Sequence, residues 1–334
     1  MLVYVLRRLL WMVPTMLGIT FLLFVVMQLA PGDPAEVLFG DAGDLGASAR
    51  GAGGIEDAIR KFREQNHLDE PIPLQYLHWV KSVAMLDFGA EFARPDVRVM
   101  DELWRRLAIT VPLAVISVLL SYLIALPLGV LSAVRQRSLP DKLTTFALFL
   151  MYSVPQFWVG LMLVLVFGAT GLHWLPVIGL HDKDMSPDAG WAWWRDLALH
   201  AILPVVVLTF GGLAYLSRQI RVGMLEVVRQ DYIRTARAKG LSERAVILHH
   251  ALRNSLIPVV TVFATLLPVL IGGSVIVELI FDIPGMGLYA YEGLLKRDYN
   301  VVMATTTISA LLTLVGFLVS DILYGLVDPR ISYD

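Results

Sequence analysis

No cysteine occurs among the 334 residues, so disulfide staples, thiolate nucleophiles and cysteine-ligated metal centres are excluded. Charge is sparse as well: Asp, Glu, Lys and Arg make up 17% of the chain, against about 25% in an ordinary soluble domain. The formal net charge is -2, and with no excess of basic residues nucleic acid is a poor partner. The phosphate-cradling pattern GxxxxGK[ST] is absent, so the chain does not hold nucleotide in that way. Neither HExxH nor GxSxG occurs, and His249 and His250 have no carboxylate at metal-ligand spacing, which argues against a membrane-embedded protease. No metal and no catalytic residue is expected.

What the chain has instead is apolar length. Hydrophobic residues make up 57% of it and the mean hydropathy is +0.67, so lipid is its natural solvent. Windows long enough to cross the roughly 30 Å hydrocarbon core fall at 9–30, 107–134, 143–168, 198–216, 256–281 and 301–327. The first follows Arg7 and Arg8 like a signal peptide, but no small-x-small cleavage site comes after it, and it is read as a retained span. The expected fold is an all-α polytopic membrane protein with six transmembrane helices. Its parts are residues 1–30, an external segment 31–106, and a core 107–334 with five spans.

Six spans put both termini on one face. Arg7, Arg8, Arg135, Arg137, Lys142 and Arg330 all fall on that face, which the positive-inside rule makes cytoplasmic. Proline at 14, 112, 127, 155 and 268 predicts bends inside spans, a bundle curved around a cavity. On the opposite face, residues 40–54 are rich in glycine and alanine and read as a surface loop, while 55–66 and 74–83 have helical apolar spacing. Trp191, Trp193 and Trp194 mark a headgroup belt, with ligand contact as the alternative.

One segment departs from this pattern. Residues 217–255 hold eight Arg or Lys against three acids, so the segment is cytoplasmic and polar between two apolar runs. Asp231 is a good N-cap, 232–239 offers about two turns of helix, and Gly240 supplies a left-handed stop. Ser242 then caps a second helix, with Glu243 in its first turn. An exposed helix, a glycine corner and a returning helix form an element suited to docking a cytoplasmic protein.

Thr235-Ala236-Arg237-Ala238-Lys239-Gly240 followed by His250-Ala251-Leu252-Arg253-Asn254 resembles the EAA loop of permease subunits of bacterial ABC importers, in the variant of the dipeptide and oligopeptide group. Aligned on Gly240, the general Glu-Ala-Ala falls on Arg234, Thr235 and Ala236, so only the last residue matches. Ala30-Pro31-Gly32-Asp33-Pro34, the run from Phe281 to Leu288, Arg297-Asp298-Tyr299, Asp321 to Gly325 and Asp328-Pro329-Arg330 resemble the same group from end to end.

The resemblance implies a permease that pairs with a second, similar permease subunit, docks two cytoplasmic ATPase subunits, and receives peptide from a periplasmic substrate-binding protein. Its site would be the inner (cytoplasmic) membrane, with ATP and Mg bound on the partner subunits and no cofactor on this chain. The residues expected to couple to the ATPase are Asp231, Tyr232, Arg234, Thr235, Ala236, Arg237, Ala238, Lys239, Gly240, Leu241, His250, Arg253 and Asn254. Phe281, Pro284, Gly285 and Gly287 are read either as a tight turn between spans or as a re-entrant finger at the pathway or outer gate. Glutathione or a nickel chelate are alternative cargoes. A proton- or sodium-driven carrier is a rival, disfavoured because Glu278, Asp282 and Asp321 lie toward span ends. A scaffold subunit without a pathway is another.

Overall fold

The computed structural model describes residues 2–30, 32–39, 55–169, 172–255 and 274–327. The glycine-rich 40–54, most of the expected fifth span with Pro268, and Asp328-Pro329-Arg330 lie outside these residues. Among the described residues the chain is helical and has no strand, only an isolated bridge between Ala90 and Arg98. Lipid dictates this, because a helix satisfies every backbone donor and acceptor within one segment where no water can.

Among the described residues, four helices are long and apolar enough to cross a membrane: Val3–Leu29, Val99–Val134, Trp191–Val228 and Tyr299–Val319. A fifth crossing arises if Leu139–Ser153 and Gln156–Gly168 form one span, and that pair is bent by 90°. The expected window 143–168 is thus a broken element. Val154 adopts an extended conformation and Pro155 follows it, lacking the N–H that a continuing helix needs. By contrast, helices continue through Pro14, Pro112 and Pro127, and through Pro204, which sequence reading passed over.

The chain forms two compact units, one of Met1–Ile109 with Pro284–Leu314, the other of Thr110–Ile283 with Val315–Asp334. In the first, α1 (Leu2–Leu29), α2 (Pro34–Phe39), α3 (Ile55–Gln65) and α4 (Ile72–Ala84) are built together with residues 284–314. Ala35, Leu38, Phe62 and Phe92 form one buried cluster, in which the Phe62 and Phe92 rings meet edge to face at 4.9 Å. Phe24 and Met27 pack with Val302 and Met303 in another. Polar groups clasp these pieces. Asp33 accepts the Ala35 N–H at 2.8 Å and pairs with Arg63, Arg297 donates to the Gly32 carbonyl at 2.9 Å, and Tyr289 donates to Glu91 at 2.9 Å.

Asp298 is the buried centre of this clasp, taking the N–H of Phe92 at 2.6 Å and of Val301 at 3.1 Å. It lies just before the span Tyr299–Val319. Burial pushes its carboxyl up to about 6 against an ordinary 3.8, partly offset by those backbone bonds.

In the second unit, α5 (Val99–Val134) from Thr110 onward, α6 (Leu139–Ser153), α7 (Gln156–Val164) and α8 (Trp191–Val228) pack closely. A methyl on Gly129 would sit 2.7 Å from Ile220 Cβ and 2.8 Å from the Ser217 carbonyl, so α5 and α8 touch where only glycine fits. Buried Asp141 joins three helices: it accepts from Ser132 Oγ, from the Arg137 N–H at 2.8 Å, and from Arg221 at 3.2 Å. With 38 residues α8 is about 57 Å long at 1.5 Å per residue. That is nearly twice the roughly 30 Å hydrocarbon core, so it projects well past the expected window.

One pH dependence follows from Asp298. The native chain keeps this proton up to about pH 6 while the unfolded chain loses it near 3.8, so the contribution of this group to stability is greatest at low pH and falls as pH rises through that window. The full loss is about 3 kcal/mol. Thermal midpoints in detergent from pH 4 to 7 should show the wild type losing stability relative to Asp298→Asn, whose amide cannot ionise.

Candidate functional site

Beyond α8 the chain makes a hairpin. α9 (Asp231–Ala238) starts three residues after α8 ends, and its N-cap is Gln230, extended at φ -73 and ψ 151 with no side-chain cap bond. This corrects the expected cap at Asp231: the Gln230 carbonyl already accepts the N–H of Ile233 at 3.1 Å. Asp231 sits in the first turn instead, pairing with Arg234 at 3.3 Å beside the positive end of the helix. The stop is as expected, with Gly240 at φ 77 and its N–H on the Arg237 carbonyl at 2.9 Å. Ser242 Oγ accepts from the Ala245 N–H at 3.4 Å and starts α10 (Glu243–Ala245). The return is a π-helical stretch, Val246–Leu252, before α11 (Arg253–Ser255). Its wider turn brings Val246 and Ala251, five residues apart, to the same buried face.

Charge lies on one side and apolar anchors on the other. Ile233, Ala236, Val246 and Ala251 are buried in one cluster with Leu213, Leu216, Ile220 and Met224 of α8 and Ala125 and Ala133 of α5. Ala236, the residue that matches the EAA pattern, is therefore an anchor of the hairpin. Tyr232, Arg234, Thr235, Arg237, Ala238, Lys239, Gly240, Leu241, Arg253 and Asn254 are exposed, and His250 is half-buried.

Two polar ties hold the shape. Arg237 grips Glu243 across the glycine corner with two hydrogen bonds of 2.7 and 3.1 Å. Asn254 donates to the Tyr232 hydroxyl at 3.2 Å and to the His250 carbonyl at 3.0 Å, closing the open end. Arg237 holds the Glu243 carboxyl below the usual range, and Glu243 raises Arg237 in turn.

Sequence reading missed Gly223. A methyl there would lie 2.9 Å from the Ser255 carbonyl, so its hydrogen lets α11 return against α8. The signal was a glycine inside a helical stretch, legible only once its neighbour is known. Beside this packing, a cavity of about 590 Å³ is lined by Ser132, Thr145, Tyr152, Tyr215, Arg218 and Arg221, among others.

The second candidate group is a turn that leads into a helix. Phe281, 1% exposed, ends α12 (Val275–Ile280), and its carbonyl accepts the Gly179 N–H at 2.8 Å. The left-handed residue of the turn is Asp282, at φ 51, and not one of the glycines. Gly285 is extended and caps α13 (Met286–Leu295), Gly287 is buried in the first turn of that helix, and Pro284 is exposed. Glu278 is buried in the second unit and accepts the Thr110 hydroxyl at 3.0 Å. Of the tryptophans, Trp193 stacks on His181 at 4.4 Å, whereas Trp191 and Trp194 are exposed.

The model of the family described as binding-protein-dependent transport system inner membrane component matches residues 125–333, and one for the N-terminal part of such components matches residues 1–114. An oligopeptide transport system permease protein of Bacillus subtilis strain 168 is 41% identical over 331 residues, covering 99% of each chain. A dipeptide transport system permease protein of Escherichia coli strain K12 is 36% identical over 351 residues, covering 100% of this chain and 99% of that one. Among solved structures, a chain of the MetNI methionine ABC transporter, in inward-facing conformations, has a TM-score of 0.52 at 20% identity, covering 69% of this chain and 97% of that one. That likeness is one of fold.

The anchors and the exposed clamp should separate experimentally. Ile233→Ala should cost about 2–4 kcal/mol and release the hairpin, seen as fast amide exchange from 231 to 252. Glu243→Gln should cost under about 1 kcal/mol and speed exchange only near the corner. Because the Glu243 carboxyl is lowered, the clamp holds at neutral pH and is lost as pH falls below the ordinary glutamate range.

Proposed function

This chain belongs to the binding-protein-dependent transport system inner membrane component family, and from that premise we propose that it is the peptide-carrying permease subunit of an ATP-driven importer. It contributes half of a translocation pathway, with a second homologous permease supplying the other half. Two cytoplasmic ATPase subunits bind and hydrolyse ATP, and a periplasmic binding protein delivers the peptide. Both termini face the cytoplasm. The peptide assignment rests on the relatives, one named for oligopeptide and one for dipeptide transport, whose whole length this chain spans.

A single observation carries the coupling role: a polar hairpin with an exposed basic face is anchored by four buried apolar residues to a helix far longer than a bilayer. A partner that engages Tyr232, Arg234, Thr235, Ala238, Lys239 and Leu241 grips a handle that cannot move alone. When the ATPases close, the push on α9 passes through Ile233 and Ala236 into α8. Packed interfaces shift between discrete arrangements, so a small displacement at the handle selects one of two pathway states. Alternating access is then driven by the difference in contact between hairpin and ATPase in those states. The cavity beside Arg218 and Tyr215 lies on the same helix, where such a shift would reshape it.

Replacing Gly240 with Val puts a β-branched residue at φ 77, which costs roughly 1–2 kcal/mol and distorts the corner. Uptake of labelled peptide and transport-stimulated ATP hydrolysis should both collapse while membrane insertion and level stay normal. Photo-crosslinkers at Tyr232 and Leu241, each 43% exposed, should capture an ATPase subunit. Full uptake by the Gly240→Val protein, or crosslinks to no ATPase, would overturn the coupling role.

A further inference from the structure

A cluster in the first unit has chemistry that coupling does not use. His67, Glu70 and His78 place three ligand atoms within 4.8 Å of one another. His67 Nδ1 is 2.8 Å from Glu70 Oε1, and His78 Nδ1 is 3.1 Å from Glu70 Oε2. The two imidazole rings meet at 4.8 Å with an interplanar angle of 61°. Glu70 Oε2 is sealed from solvent and takes no hydrogen bond: His78 is near enough but misaligned. A buried carboxylate oxygen without a donor is costly, and a cation would satisfy it.

The scaffold around the cluster is already set. Pro71 caps α4 and stiffens the turn out of α3, and the Gln75 side-chain amide donates to the carbonyls of Leu68 at 3.0 Å and Glu70 at 2.7 Å. Gln28 of α1 donates in turn to the Gln75 oxygen at 2.7 Å. The turn bearing His67 and Glu70 is thereby tied to the helix bearing His78 without any help from the imidazoles. A second possible cluster, Asp182, Asp196 and His200, lacks this vacancy: Asp196 Oδ2 already takes the Asp182 N–H at 3.0 Å and lies 3.1 Å from His181 Nδ1.

We propose that His67, Glu70 and His78 are a binding site for a divalent cation, zinc, bridging the α3–α4 turn to the body of α4. Two imidazole nitrogens and one carboxylate oxygen form a donor set of borderline softness, suited to zinc and unlike the all-oxygen cages of calcium and magnesium. With zinc–ligand distances near 2.1 Å, tetrahedral ligand atoms stand about 3.4 Å apart. The two His–Glu pairs, at 2.8 and 3.1 Å to different carboxylate oxygens, lie near that spacing, and with all three ligand atoms within 4.8 Å a modest side-chain adjustment completes the set. Three protein ligands leave a fourth position for water. A cavity of about 250 Å³ has both imidazoles in its wall and leaves room for it.

The test uses the full-length chain in detergent, stripped with EDTA and titrated with zinc against a chromophoric chelator. One zinc per chain should bind. His67→Gln, His78→Gln and Glu70→Gln should each weaken it by about 100-fold or more, since even outer-shell changes at such sites cost 10–100-fold. His200→Gln should bind as the wild type does. A second measurement needs no variant: zinc should shield His67 and His78 together from diethylpyrocarbonate, mapped by peptide mass, while exposed His173 still reacts. The site is refuted if the wild type takes up no zinc, if the three ligand variants retain it, if His200→Gln abolishes it, or if His67 and His78 are not shielded. Peptide uptake enters none of these readouts, so their failure leaves the coupling reading untouched.

Discussion

The second unit depends on the contact between the hairpin anchors and the projecting end of α8. Ile233 and Val246 are 0% and 1% exposed against Leu216, Ile220 and Met224, and full burial of such a side chain is worth about 1.5–3 kcal/mol. The Arg237–Glu243 pair, largely in water, contributes under about 1 kcal/mol. Apolar packing therefore decides whether the hairpin belongs to the body, and the charges decide its outline. This division leaves the polar face exposed without weakening the attachment. Gly223 and Gly129 take part by absence, because a methyl at either would drive α8 away from its neighbours.

Polar groups elsewhere serve as clasps. Asp141 gathers hydrogen bonds from α5, from the turn before α6 and from α8, and taking away Arg221 alone would leave a buried carboxylate short of its cationic partner. In the first unit, the run 297–299 reaches residues more than two hundred positions earlier, through Gly32, Phe92 and Met27. These motifs, which carry the family resemblance at both ends of the chain, act as connectors between distant segments. Their place in the fold explains the residue types: a guanidinium that reaches a carbonyl, a short carboxylate that caps two amides, and a phenol with an apolar ring and a polar tip.

Much of the hairpin could be read from residue types. Gly240 had to be left-handed and Ser242 had to cap, because each choice depends on the residue and its immediate neighbours. The start of α9 moved by one residue, since either Gln230 or Asp231 could offer the first accepting carbonyl and the exit of α8 settled it. The inward face of Ala236, the π-helical stretch from Val246 and the role of Gly223 depend on what lies across the interface. At the other candidate site two nearby glycines drew attention to themselves, yet Asp282 took the left-handed turn.

Composition and hydropathy alone determined a helical membrane chain, the positions of its apolar runs, and a polar basic element among them. These are sums over neighbours in sequence, and lipid admits few solutions for them. Tertiary structure alone decided that the bend expected at Pro155 is as sharp as 90°, that α8 extends far beyond its apolar window, and that His67, Glu70 and His78 converge. Such features depend on which distant surfaces meet, and close packing selects those surfaces by shape, which no local average records.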